Sequence, residues 1–227
     1  MERRITNTLR KIRQRCLKLA MFTAMVTALL TACGGENAEA VSPVVQIKSN
    51  GVTGSGIIFK QREDCLIIVT AAHVMQTAAD KVEVVFADDY TTESNSYAIS
   101  QTSDTAFIEI PTETIPKEHL NKYNPVTTDK EYFDTLAEGE GMLLRGIPDG
   151  GGIQEVNGTL IYPWIYTEDF NQYMLLIRGE VLPGMSGGGA FDSQGNFTGT
   201  ICGVSETRET AAVPLSIILS EYSLFYE

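Results

Sequence analysis

From residue 44 onward the chain is a succession of short apolar runs separated by turn residues. VVQIK (44–48), SGIIF (55–59), KVEVVFA (81–87) and TAFIEI (105–110) carry the first half. Two of these, KVEVVFA and TAFIEI, alternate apolar and polar positions with a period of two, the pattern of a strand with one buried face. CLIIVTAAHV (65–74) is apolar almost throughout, as expected of a strand covered on both sides, and it is predicted to carry His73 at its end. Residues 111–135 are polar and hold Pro111, Pro116 and Pro125, which predicts a connection between two halves. A second set follows: GMLLRGI (141–147), GIQEVNGTLIY (152–162), YMLLIRGEV (173–181), GGAFD (188–192) and FTGTICGV (197–204). Asp149–Gly152 and Asp192–Asn196 supply Gly-rich turns between them. PLSIILSEY (214–222) has apolar residues at helical spacing and is predicted to pack on the second half. Two groups of five to six short strands predict an all-β fold of two barrels, residues 44–110 and 136–210, with a short C-terminal helix.

The first 43 residues read differently. Residues 1–18 are basic, and LAMFTAMVTALLTA (19–32) is uncharged and apolar. Fourteen residues are too few to cross a bilayer, which takes about 20, so the segment reads as a secretory signal. It ends in Leu30-Thr31-Ala32-Cys33, which resembles the bacterial lipobox. That resemblance implies cleavage before Cys33, acylation of the cysteine and anchoring to an envelope membrane by several acyl chains. Gly34 after the cysteine implies the outer membrane if the host is Gram-negative. The small, polar GGENAEAVSP (34–43) reads as a flexible tether. In the remainder only Cys65 and Cys202 are left to form a disulfide or stay free.

Charge narrows the partners. Seven of the 17 basic residues but one of the 29 acidic ones precede residue 33, leaving ten basic against 28 acidic side chains. Such a surface repels phosphates and argues against nucleic acid. The chain has no His-Glu-x-x-His, paired Cys-x-x-Cys or phosphate loop, so no metal or organic cofactor is expected.

Only two histidines lie beyond the signal segment. His119 falls in the polar connector and reads as a solvated loop residue. His73, in Thr-Ala-Ala-His on a rigid mount with small neighbours, is the candidate general base. Ser186 stands in Pro-Gly-Met-Ser-Gly-Gly-Gly-Ala, where glycines let the backbone take positive φ and turn N–H groups towards one point. The Gly184 and Ser186 N–H groups are the candidate oxyanion donors. The same letters fit the nucleophile elbow of α/β-hydrolases, but that order needs a histidine after the serine, and none follows Ser186. Asp104 opens the alternating strand at 105–110 and is the candidate third member, orienting the imidazole. Asp88 and Asp89 compete, from a polar loop with no buried strand after it.

Together these blocks resemble the trypsin/chymotrypsin-like serine peptidases, in particular the compact bacterial branch with HtrA-type and glutamyl-endopeptidase-type enzymes. Gly54–Phe59, Thr70–Val74, Asp104–Ile108 and Gly184–Gly188 match the family's four motifs in family order. The resemblance implies two six-stranded antiparallel barrels, a His73–Asp104–Ser186 triad in the cleft between them, and a protein or peptide substrate. It also places Glu180, six residues before Ser186, at the floor of the P1 pocket and Cys202 near its wall. Three departures stand out. Met185 replaces the acid that trypsin uses in zymogen activation, Gly189 stands where proline is usual and suggests a more flexible strand start, and the 41 residues after Ser186 leave no room for a PDZ domain. A non-catalytic lipoprotein scaffold and an esterase with the same triad are the alternatives these residues leave open.

Overall fold

The computed structural model describes residues 40–76 and 81–227. Its first half contains β1 (Val44–Ser49), β2 (Val52–Gln61), β3 (Cys65–Thr70), β4 (Val82–Val85), β5 (Thr91–Ser94), β6 (Tyr97–Ile99) and β7 (Ala106–Pro111), with helix α1 (Ala72–Met75) after β3. They form an antiparallel sheet in the order β5-β4-β1-β2-β3-β7-β6. The two edge strands are one stretch of chain, interrupted at Asn95 and Ser96. Between them the Ser94 hydroxyl donates to the Glu109 carbonyl at 2.6 Å and the Glu109 N–H to the Ser96 carbonyl at 3.0 Å. The sheet therefore rolls onto itself as a half-barrel, because one strand changes partner from β4 to β7 at this break.

The second half contains β8 (Gly141–Gly146), β9 (Gln154–Thr167), β10 (Gln172–Arg178), β11 (Gly189–Asp192), β12 (Phe197–Val204) and β13 (Thr210–Pro214). These close into a six-stranded barrel, β10-β13-β12-β11-β8-β9. Short helices α2 (Lys117–Leu120) and α3 (Lys130–Phe133) lie in the connector, and α4 (Leu215–Tyr226) ends the chain.

The unbroken apolar run at 65–70 has two faces to fill. Leu66 and Ile68 enter the interior of the rolled sheet with Val45, Ile47, Ile58 and Ile108. Cys65, Ile67 and Val69 face the other way, into a core shared with Leu144, Ile177 and Phe191 of the closed barrel. Neither face meets water, so alternation disappears from the sequence. The strand ends at Thr70, and His73 sits in the one-turn helix α1 instead of at a strand end. The Val74 N–H bonds the Ala71 carbonyl at 3.1 Å and starts that turn.

Two further boundaries differ from those expected. Helix α4 runs to Tyr226 and bridges both halves: Leu215 and Ile218 enter the shared core, and Tyr222 lies 5.8 Å from Phe59 and 5.9 Å from Phe107 of the first sheet. The tether ends earlier than residue 43, since Val41 pairs with Tyr123 and its N–H donates to the Lys122 carbonyl at 3.1 Å. Cys65 and Cys202 are free and buried. The signal segment, Cys33 and most of the tether lie outside the described residues. Among the described residues no helix is long and apolar enough to cross a membrane.

Phe107 touches Phe59, Tyr222 and Tyr226 at centroid distances of 5.8–6.1 Å and is fully buried. Phe107→Ala is expected to cost about 3–5 kcal/mol, read from the urea midpoint, because it empties the seam between the sheet and α4.

Candidate active site

The strand pairing of β3 with β7 brings Thr70 opposite Ala106, so the residues just beyond both strand ends meet. Asp104 there grips His73 twice. The His73 backbone N–H donates to Asp104 Oδ1 at 2.8 Å, and His73 Nδ1 lies 2.8 Å from Asp104 Oδ2. Two bonds to two oxygens fix the carboxylate plane and leave Nε2 as the outward nitrogen. The histidine side chain is 40% exposed and the aspartate 18%. Burial raises the Asp104 carboxyl. The hydrogen bonds and charge of His73, with the Cys202 thiol, outweigh it and hold the group below its ordinary value.

Ser186 is held from the first sheet. Its carbonyl accepts the Ser55 N–H at 2.7 Å. A Cβ placed on Gly54 would lie 2.7 Å from the Val74 methyls and 3.2 Å from the Ser186 carbonyl. One residue of β2 thus separates the residue after His73 from the serine. Gly187 packs so closely on Ser55 and Thr70 that a side chain there would overlap the Ser55 carbonyl. The Ser186 hydroxyl donates to the Cys202 carbonyl at 2.9 Å, so its proton is directed away from His73 in this conformation.

The backbone before Ser186 forms a turn suited to anions. The Met185 N–H donates to the Leu182 carbonyl at 3.1 Å, and Gly184 has φ +90°. With Pro183 at the second position this is a type II turn, which requires glycine at the third. The Pro183 carbonyl is held by the Asp149 N–H at 3.1 Å. Neither the Gly184 nor the Ser186 N–H has an acceptor among the described residues, so both donors remain available. Met185 is fully buried in the shared core.

Several positioning residues were not legible beforehand. Ser55 is fully buried; its hydroxyl donates to the Gly184 carbonyl at 2.8 Å and accepts the Ile147 N–H at 2.8 Å, pinning the turn. The Gly-Ser-Gly motif flagged its neighbourhood but not this task. Gln172 accepts the Asp104 N–H through Oε1 at 3.1 Å, a contact 68 residues distant that no local pattern signals.

Glu180 is exposed. The Cys202 side chain is buried behind Asp104, and burial and that carboxylate together push its thiol well above the usual range. A cleft of about 560 Å³ flanks His73 and Asp104 and is lined by Gln101, Asp169, Phe170 and Gln172 among others. Neither Glu180 nor Cys202 contributes to it. His119 is not a free loop residue: its Nδ1 lies 2.7 Å from Asp88 Oδ2 and its ring stacks on Tyr90 at 4.6 Å. Asp88 also accepts the Tyr123 hydroxyl at 2.8 Å, so it is engaged away from His73. Gly189 is explained by contact rather than flexibility, because a Cβ there would lie 2.6 Å from the Phe191 ring and 3.1 Å from Ile57.

A closed six-stranded barrel beside a rolled antiparallel sheet, with a C-terminal helix, defines the chymotrypsin-like double-barrel class. The sequence pattern of the trypsin-like peptidase domain matches residues 54–199, and the chain belongs to that family. No curated protein sequence matches it. Among solved structures, the active form of the Rv3671c protease from M. tuberculosis is similar with a TM-score of 0.65 and 19% identity, over 81% of each chain. The HtrA-type protease AlgW, solved with a tripeptide, gives a TM-score of 0.69 and 21% identity over 84% of this chain and 63% of AlgW. At these identities the likeness concerns the fold.

Proposed function

We propose that this protein is a serine endopeptidase that hydrolyses protein or peptide substrates through His73, Asp104 and Ser186. The observation that carries the reading is the double grip of Asp104 on the His73 backbone and Nδ1. His119 also pairs with a carboxylate, but His73 is held by its own at both the backbone and the ring and borders the cleft, the setting a general base requires. In this reading the Ser186 hydroxyl leaves the Cys202 carbonyl by rotating about Cα–Cβ and gives its proton to His73 Nε2 as its oxygen bonds the scissile carbonyl carbon. The Gly184 and Ser186 N–H groups receive the oxyanion. Collapse breaks the C–N bond, and His73 returns the proton to the leaving amine. Water then repeats the sequence on the acyl-enzyme and releases the acid. No step calls for a metal or cofactor.

The N-terminal segment supports a lipid anchor at Cys33, which would place the domain on an envelope membrane of a bacterium. Whether Glu180 selects basic P1 residues belongs to the same proposal; its exposure leaves it reachable by a substrate.

The engagement of the Ser186 hydroxyl by the Cys202 carbonyl favours a second reading, a peptidase fold kept as a non-catalytic scaffold. A fluorophosphonate probe separates the two. Applied to the full chain in detergent, it is expected to label Ser186 and to leave Ser186→Ala unlabelled. An unlabelled wild type would support the scaffold. Casein compared with p-nitrophenyl esters then distinguishes a peptidase from an esterase.

A further inference from the structure

Asp104 belongs to the first sheet, yet the loop that delivers it is held from the C-terminal helix. Ser100 to Thr105 form a tight loop closed by the Ser100 N–H on the Thr105 carbonyl at 2.9 Å. Within it the Ser100 hydroxyl accepts the Thr102 and Ser103 N–H groups, both at 3.0 Å. The hydroxyls of Thr102 and Ser103 point outward to one atom, Glu221 Oε1, at 2.6 and 3.2 Å. Glu221 lies in the penultimate turn of α4 and is 6% exposed.

A carboxylate in that position is costly. Burial strips its water, and an apolar residue of similar size is often neutral or better for stability. What an apolar residue cannot do is accept two hydroxyl protons from consecutive residues. Those two residues immediately precede Asp104, and α4 is itself anchored by Leu215 and Ile218 in the shared core and by Tyr222 on Phe59 and Phe107. Glu221 is therefore fixed on a helix packed against both halves of the molecule, and it is applied to the backbone that sets the carboxylate.

We propose that Glu221 is a positioning residue for the hydrolytic site: it holds Thr102 and Ser103 by their hydroxyls and thereby fixes Asp104 against His73. This rests on the serine-endopeptidase reading and adds a residue to it. Gln172 acts on the same loop from β10, so the acid is set both from the closed barrel and from the helix that bridges the two halves.

The experiment compares Glu221→Gln, Glu221→Ala and the double variant Thr102→Val/Ser103→Ala in the full chain. Glu221→Gln keeps an acceptor oxygen and is expected to stay close to wild type. Glu221→Ala is expected to lower kcat by about 10²-fold with KM little changed. Its acid limb is expected to move to lower pH, since a displaced Asp104 stabilises the imidazolium less. The other titratable groups facing the dyad, the Cys202 thiol behind Asp104 and Asp169 across the cleft, are untouched in these variants. If Glu221→Ala does not fold, the double variant, which removes the donors instead, is expected to give the same pattern. A readout independent of turnover is the downfield proton of His73 Nδ1–H by NMR, assigned in a His119→Gln background. It is expected to shift or broaden in Glu221→Ala and persist in Glu221→Gln. A wild-type kcat and resonance in both Glu221→Ala and the double variant would overturn the proposal. So would a loss that tracks melting temperature with an unchanged pH profile, or a Glu221→Gln as impaired as Glu221→Ala. A wild type that shows the resonance but hydrolyses nothing would sink the endopeptidase reading, and the resonance in the variants would still decide the role of Glu221.

Discussion

Ser186→Ala is expected to lower kcat by on the order of 10⁶ while leaving the fold and substrate affinity in place. Among the described residues the hydroxyl makes one hydrogen bond, to the Cys202 carbonyl, and that carbonyl is the group the substitution leaves short of a partner. The elements that hold the serine backbone do not involve its side chain: the Ser55 N–H on the Ser186 carbonyl and the close packing of Gly187 on Thr70 and Ser55 both survive. Melting temperature and peptide affinity should therefore be nearly those of the wild type, and hydrolysis of a quenched fluorescent peptide should fall to the background of the oxyanion donors alone. Turnover retained by Ser186→Ala would remove Ser186 from the mechanism.

Asp104→Asn is expected to cost roughly 10⁴-fold in kcat, and its cause is visible in the geometry. Both carboxylate oxygens accept from His73, one from the backbone N–H and one at Nδ1. An amide offers one acceptor and one donor. If its oxygen keeps the backbone N–H, its NH₂ faces Nδ1, which must then be the unprotonated nitrogen; the proton moves to Nε2, and the base is lost. The substitution also removes a pH-dependent part of stability. The Asp104 carboxyl is held below its ordinary value, so its contribution is complete above an unfolded value near 4 and fades as pH falls through the depressed folded value. Thermal melts at neutral pH and near pH 3 are expected to show a larger gap between wild type and Asp104→Asn at neutral pH. An Asp104→Asn variant with wild-type kcat would show that the carboxylate does not orient His73.

Much of the strand pattern was readable because each half buries one face against itself. The alternation in β4, where Val82 and Val84 enter the core and Glu83 and Val85 do not, survives translation into structure unchanged. The partner change at Asn95–Ser96 was not readable: it depends on which neighbour each half of a strand finds, and nothing in Thr-Thr-Glu-Ser-Asn-Ser specifies that. The extent of α4 was underestimated for a related reason. Residues 223–226 look like an exposed polar–aromatic tail until Phe107 is brought beneath Tyr226. His119 reads as solvated because its partner, Asp88, lies 31 residues upstream, beyond three intervening strands.

By itself the sequence determined that this is an all-β chain in two sets of strands, and by their order and local settings it marked His73, Asp104 and Ser186 as the candidates for acyl transfer. Those settings are local matters: glycines on both sides of a serine, a histidine after two alanines, an acid at the mouth of a buried strand. Only the tertiary structure decided that Asp104 grips His73 at two points, that Ser55 pins the turn before Ser186, and that Gln172 of β10 and Glu221 of α4 meet the loop that carries Asp104. Each of these is a hydrogen bond between groups tens of residues apart along the chain. Such a bond depends on distances fixed by how the sheet and barrel pack, and composition and spacing carry no record of them.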